Sequence, residues 1–184
     1  MRKKAESNLL NMLLVLTAIS VVSAGVLALA DRATAEPILK SRQEKKSAAV
    51  KIVLPQFEGL RNDTISGLPC WMASDPEGKP VGVAVESFSD AGFSGHISIM
   101  VGFDSNGTIT GYQILETHET PGLGAKADSW FQEDGKGCVI GKNPGAEPLK
   151  VTKDGGEVDA ISGATITSRA FCEAINTAYK IFEK

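Results

Sequence analysis

A cluster of hydroxyl side chains in residues 159–169, DAISGATITSR, is the segment of this 184-residue sequence best suited to chemistry. Gly163 allows a tight backbone turn there, and a helical apolar pattern begins at residue 166. A helix N-terminus carries unpaired backbone N–H groups and a partial positive charge, so this segment predicts a site for a phosphate group. Simple capping of the helix by a hydroxyl is the competing interpretation. The hydroxyl residues are Ser162, Thr165, Thr167 and Ser168.

The elements around this segment predict an α+β fold with an antiparallel sheet. Residues 81–116 contain three strand patterns, VGVAVESFS, HISIMVGF and TITGYQIL, and the sequence DSNG at 104–107 predicts the turn between the last two. A glycine-rich loop, THETPGLGAK, follows, and then a short helix over 126–134. Residues 158–161 predict a last strand, and 166–183 predict an amphipathic helix.

An uncharged run at residues 9–30 predicts a single transmembrane helix at the N-terminus. At about 1.5 Å per residue the run forms a helix of roughly 33 Å, enough to span a hydrocarbon core of about 30 Å. The basic residues at 2–4 place residues 1–8 in the cytoplasm by the positive-inside rule, and the rest of the chain outside. The sequence ALA at 28–30 also fits a signal-peptide cleavage site, but the apolar run is longer than signal peptides use.

The remaining chain divides into a juxtamembrane linker or helix at 31–55 and one domain at 56–184. A net charge of −3 and an aromatic content of 6% supply neither the basic surface nor the stacking platform of a nucleic-acid-binding protein. Three cysteines without CxxC spacing argue against zinc and iron–sulfur sites, so no metal site is expected. Whether Cys70 and Cys138 form a disulfide is open. No G-x-G-x-x-G follows a strand, which argues against a dinucleotide site.

Two segments of the chain resemble the motifs of the FMN-binding domain family. The sequence DAISGAT at 159–165 matches the flavinylation motif D-x-x-[ST]-G-A-T, and ETPGLG at 119–124 matches a second family motif. The resemblance extends to the RnfG family of the Rnf electron-transport complexes, and to the NqrC family of the sodium-translocating NADH:quinone oxidoreductases. It implies a single N-terminal transmembrane helix, followed by an FMN-binding domain with an antiparallel sheet and flanking helices.

The resemblance also implies a cofactor and its site. In this family FMN is esterified through its phosphate to the last threonine of the motif, here Thr165, by a separate flavin transferase that recognises the motif, Asp159 included. Glu119 and Thr120 are expected to contact the polar edge of the flavin ring, and Leu123 is expected to pack on its face. No catalytic residue is expected, and the role of His118 is open. The other cofactor-binding residues that the resemblance implies are Ser162, Gly163, Ala164, Gly122 and Gly124.

The function that the resemblance implies is electron transfer within a membrane complex. Rnf complexes couple electron flow between ferredoxin and NAD to the transport of Na+ or H+, and partner subunits carry the iron–sulfur centres. The predicted transmembrane helix has no ionisable residue, which argues against an ion pathway inside this chain. Two alternatives remain open: a component of the quinone-reducing complex, and a membrane-anchored binding module without flavin.

Overall fold

A computed structural model describes residues 8–54 and 56–184, and its contacts divide the chain into two units between Gln43 and Glu44. Two predictions fall outside the described residues. They are the cytoplasmic placement of the basic residues Arg2, Lys3 and Lys4, and the end of a helix at Pro55.

The first unit consists of the larger part of helix α1 (Leu9–Val53), whose side chains are exposed up to residue 43. Within the described residues, α1 is long and apolar enough to cross a membrane by length and composition, with a mean hydropathy of 2.5 over its most apolar stretch. The helix continues through the predicted linker, with Pro37 inside it. Residues 31–50 are rich in Ala, Glu, Lys and Arg, which favour helix and account for this continuation.

The second unit contains an antiparallel sheet with strand order β1-β2-β3-β4-β5, followed by two helices. The predicted antiparallel α+β architecture is confirmed, and two strands that the sequence did not predict precede the three that it did. The elements are β1 (Gly59–Ile65), β2 (Leu68–Ser74), β3 (Pro80–Gly92), β4 (Gly95–Asp104), β5 (Ile109–Thr117), α2 (Ala127–Trp130) and α3 (Thr165–Phe182).

The two faces of the sheet are covered by different helices. Helix α3 packs on one face, where the Ser87 hydroxyl of β3 donates a hydrogen bond to the Ala174 carbonyl at 2.8 Å. Its buried residues join the sheet in the main core, and they include Phe171 and Ile175. The last turns of α1 cover the opposite face, where Val53 packs in a smaller core with residues of β2, β3 and β4.

Two predicted elements differ from the structure. Helix α2 ends at Trp130 instead of residue 134, because the chain turns back at Gly135, whose missing Cβ leaves room for the Trp130 carbonyl. The predicted strand at 158–161 was wrong, since only an isolated bridge between Val151 and Val158 forms there. The segment 158–161 lies between glycines on both sides, Gly155 and Gly156 before it and Gly163 after it. Hydrogen bonds within the loop hold this segment in place, and it does not join the sheet.

Candidate cofactor site

The start of helix α3 is a tight turn closed by a serine. Gly163 adopts the left-handed conformation with a φ of +79°, and the N-cap residue Ala164 has no side chain that could cap the helix. The Ser168 hydroxyl accepts a hydrogen bond from the Ile161 N–H at 3.0 Å and donates one to the Ala164 carbonyl at 2.9 Å. The turn is therefore fixed from within the helix, and no side-chain cap stands between the helix N-terminus and a ligand.

The two threonines of the first helical turn have different surroundings. Thr165 is half-buried, and its hydroxyl accepts a hydrogen bond from the Lys153 ammonium at 3.1 Å. Thr167 is fully buried, and its hydroxyl donates to Glu119 Oε2 at 2.9 Å. Of the two, Thr165 is the hydroxyl that a reactant from solution can reach.

Glu119 connects three separate segments of the domain. One carboxylate oxygen accepts the hydrogen bond from Thr167, and the other accepts one from the Ser94 N–H, in the turn between β3 and β4, at 3.1 Å. The residue is only 7% exposed. A Cβ at Gly124 would lie 2.5 Å from Glu119 Oε2 and 2.7 Å from Thr167 Oγ1, so this position needs glycine. Glu119 was expected at the ring edge, and in the structure its two oxygens bind protein groups.

The ETPGLG loop lies against the turn at the start of α3. A Cβ added to Gly163 would lie 3.3 Å from Leu123 Cδ2, so the structure brings the two motifs together. Gly122 takes the left-handed conformation that this turn requires, with a φ of +78°. Thr120 is exposed, and its carbonyl accepts hydrogen bonds from the N–H groups of Leu123 and Ala125.

The other predicted residues of the motif are exposed. Asp159 and Ser162 both face solvent, and the Asp159 carbonyl accepts a hydrogen bond from the Trp130 indole at 2.8 Å. His118, beside the loop, is exposed as well. The neighbouring Phe131 is fully buried and stacks on Phe171 with a centroid distance of 4.2 Å.

Three large apolar side chains remain exposed in residues 92–180, and all three belong to the segments that Glu119 connects. Phe93, next to Ser94, is 69% exposed, Leu123 is 44% exposed and Ile166 is 47% exposed. Phe93 was not among the residues predicted from the sequence. A phenylalanine in a Gly-rich turn, where no core position is predicted, is the signal that could have identified it.

A second feature that the sequence analysis missed is the turn that carries Lys153. Residues Thr152–Asp154 form one 3-10 turn, and the Asp154 carboxylate makes two hydrogen bonds of 2.7 Å to the Arg169 guanidinium on α3. The hydrogen bonds and charge of Arg169 lower the pKa of Asp154. The sequence KDGG at 153–156, just before the motif, is the available signal.

No group of three His, Cys, Asp or Glu side chains suited to a metal ion occurs among the described residues. Cys70, Cys138 and Cys172 are free thiols. Burial, together with the negative charge of Asp154, raises the pKa of Cys172 to about 12, so this thiol stays protonated at neutral pH.

Comparison with known proteins identifies the family. The FMN-binding domain family matches residues 92–180, a span that contains both motifs. The G subunit of the ion-translocating oxidoreductase complex of Vibrio cholerae is 34% identical over 181 residues, which cover 90% of this chain and 86% of the relative. The chain belongs to the RnfG family, the G subunits of ion-translocating oxidoreductase complexes.

A second relative and a solved structure are also similar to this chain. The G subunit of the Na(+)-translocating ferredoxin:NAD(+) oxidoreductase complex of Acetobacterium woodii is 31% identical over 189 residues, covering 92% of this chain and 89% of the relative. Among solved structures, NqrC of Shewanella oneidensis superposes on 64% of this chain and 63% of its own, with a TM-score of 0.48 and 24% identity. The family match to residues 92–180 includes the site residues Phe93, Glu119, Lys153 and Thr165.

Proposed function

We propose that this chain carries one FMN, esterified through its phosphate to Thr165, and relays electrons within an Rnf-type complex. The observation that carries the proposal is the contact between the two motifs at the N-terminus of α3, where Thr165 is accessible and Thr167 is buried. Membership of the RnfG family supports the same assignment.

The residues present fit such a cofactor. The 18-residue helix α3 begins without a side-chain cap, and helix N-termini of this kind accept phosphate groups through their backbone N–H groups. The exposed apolar side chains of Phe93, Leu123 and Ile166 offer contact area for a flat ring. When bound, FMN supplies reversible uptake and release of electrons.

The protein's own contribution is to select the acceptor and hold it in place. Glu119 binds the Thr167 hydroxyl, and the Ser168 hydroxyl bridges two backbone groups, so neither is available for attachment. A threonine hydroxyl is a poor nucleophile without a base, and the side chain that contacts Thr165 is the cationic Lys153. Attachment therefore depends on a separate flavin transferase, for which the exposed Asp159 is a recognition element.

The apolar run and the flanking charges of the N-terminal sequence support the membrane arrangement. The apolar part of α1, residues 9–30, is the anchor, residues 1–8 are cytoplasmic, and 56–184 form the extracytoplasmic FMN domain. Partner subunits carry the iron–sulfur centres, because the described part of this chain has no cluster of metal-ligating side chains. They also carry the ion pathway, because residues 9–30 contain no ionisable side chain. The coupled reaction is electron flow between ferredoxin and NAD, with Na+ or H+ as the transported ion. The name of the Acetobacterium relative supports this reaction.

The test is the intact mass of the full-length chain, expressed with and without a flavin transferase and then mapped by peptide. We expect a transferase-dependent gain equal to FMN minus water, on the peptide that contains Thr165. Thr165→Ala should show no gain in mass and should keep its fold. Replacing a partly exposed side chain of this kind changes the free energy of unfolding by about 0.5 kcal/mol or less. Thr64→Ala, which removes an exposed threonine hydroxyl outside both motifs, is the matched control and should keep the gain. An unmodified wild-type chain, with the transferase active on another substrate, would reject the proposal.

A further inference from the structure

The turn that carries Lys153 is rigidly closed. The N–H groups of Asp154 and Gly156 both donate to the Val151 carbonyl, at 2.8 and 3.2 Å. The Thr152 N–H donates to the Val158 carbonyl at 2.9 Å, which joins the two ends of the loop. A lysine on this turn therefore projects from a fixed base and not from a free loop.

The same turn is tied to helix α3. Asp154 holds Arg169 through two hydrogen bonds of 2.7 Å, and Arg169 lies one helical turn beyond Thr165. A bidentate arginine–carboxylate pair fixes orientation as well as distance. With the turn fixed in this way, the Lys153 ammonium lies 3.1 Å from the Thr165 hydroxyl oxygen. This oxygen is the atom to which the phosphate is attached in the proposed function.

We propose that Lys153 is a cofactor-binding residue that pairs with the phosphodiester of the attached FMN, and that the Asp154–Arg169 pair positions it. The inference rests on the proposed attachment to Thr165 and deepens it. A phosphodiester carries one negative charge at neutral pH, and the ammonium adds a full positive charge to the partial charge of the α3 N-terminus. Lys153 is exposed, so the pairing is weakened by salt.

The experiment uses the full-length chain in detergent, modified by a flavin transferase with FAD, and records the phosphorus NMR signal of the phosphodiester. We expect Lys153→Gln to move this signal and to remove its dependence on NaCl concentration, while Lys153→Arg keeps both close to wild type. Arg169→Gln should move the signal in the same direction, because it releases the turn. Lys79→Gln is the matched control, since Lys79 is an exposed lysine between β2 and β3, outside the loop that carries Lys153, and its signal should match wild type.

The possible outcomes separate this inference from the proposed function. Identical signals and salt dependence in Lys153→Gln and the wild type, with the adduct present by mass, would reject the pairing and leave the attachment intact. An effect of Lys79→Gln as large as that of Lys153→Gln would also reject it, because general charge would then explain the shift. Absence of the adduct from the wild type would reject the attachment and the pairing together. A further readout is the rate of adduct formation, expected to fall about two- to fivefold in Lys153→Gln, as for an exposed ion pair.

Discussion

Glu119 organises the candidate site at the scale of single residues. Its two oxygens accept hydrogen bonds from Ser94 and Thr167, so one buried carboxylate sets both the turn between β3 and β4 and the start of α3. The same contact occupies the hydroxyl that would compete with Thr165. In the proposed attachment, burial and hydrogen bonding distinguish Thr165 from Thr167, since the two residues are of the same type.

Removing the Glu119 carboxylate should destabilise the domain. Glu119→Ala leaves the fully buried Thr167 hydroxyl without its acceptor, and we expect a loss of about 1–3 kcal/mol in the free energy of unfolding. The measurement is denaturant unfolding followed by tryptophan fluorescence. Glu133→Ala, at an exposed position, is the control and should change the free energy by less than about 0.5 kcal/mol. Equal stability of the two variants would contradict this role of Glu119.

The cysteines should differ in reactivity with pH. Burial, and secondly the charge of Asp154, raises the pKa of Cys172 to about 12, and only the thiolate is alkylated. We therefore expect Cys172 to resist iodoacetamide in the folded protein between pH 7 and 9, and to react only after unfolding. The half-buried Cys138 provides the internal comparison in the same peptide map. Alkylation of Cys172 at the rate of Cys138 would show that the helix opens locally.

The sequence predicted candidate site residues but not the contacts between them. Thr165 and Leu123 were predicted because each lies in a motif that is contiguous in the chain, and the structure brings these motifs together. Contacts between distant segments were not predictable, since the Glu119–Thr167 bond joins residues 48 positions apart. Lys153 was missed as well, because no sequence pattern indicates that the loop at 151–158 brings its ammonium to 3.1 Å from the Thr165 hydroxyl oxygen.

At the scale of elements, the C-terminal end of α1 packs against a row of glycines in the sheet. Gly82, Gly102 and Gly111 lie on β3, β4 and β5, and side chains at these positions would meet Val53, Leu54 or the backbone of β4. The Thr110 hydroxyl donates to the Val53 carbonyl, which satisfies a backbone acceptor in the last turn of the helix. The glycines thus permit close approach of a helix end to the sheet.

Adding a methyl group to this row should separate the helix end from the sheet. Gly102→Ala places a Cβ against the Val53 carbonyl, and we expect a loss of about 1–3 kcal/mol in the free energy of unfolding. Gly111→Ala should lower the free energy of unfolding by a smaller amount, since its Cβ would lie 3.0 Å from its nearest neighbour, Val53 Cα, and the Cβ at Gly102 would lie closer still to the Val53 carbonyl oxygen. Denaturant unfolding of both variants gives the comparison, with Ser105→Ala in an exposed turn as the control. A fully stable Gly102→Ala would show that the helix end moves freely.

The strength of the local pattern explains which elements could be predicted. Strands β3 to β5 alternate or are rich in valine, and α3 shows helical spacing, so the sequence predicted them. Strands β1 and β2 were missed because β1 is almost entirely exposed and their Ser-Gly connection is a weaker hairpin signal than Asn-Gly. The apolar residues at 158–161 fill a core position through Val158 and Ile161 without joining a ladder, so their composition suggested a strand.

At the scale of the whole molecule, the chain should remain in the membrane at full length. The apolar run of α1 is long enough to span, and a retained anchor predicts that the protein stays in the membrane pellet after an alkaline carbonate wash. Its intact mass should then include residues 1–30. A soluble product that begins at Asp31 would instead show cleavage of a signal peptide. Alkaline phosphatase fused after Lys184 should be active, since it would lie outside the cytoplasm.

The position of α3 after the sheet in the chain affects the order of events during biosynthesis. The sheet connects its strands in sequence order, so each hairpin is complete soon after its residues emerge. Thr165, the proposed acceptor, opens helix α3, and that helix covers one face of the sheet. A chain that terminates before this helix lacks both the core face and the proposed attachment point. Under the proposed attachment, covalent FMN would label only chains whose synthesis has reached α3, and flavin absorbance in a membrane preparation would count such chains.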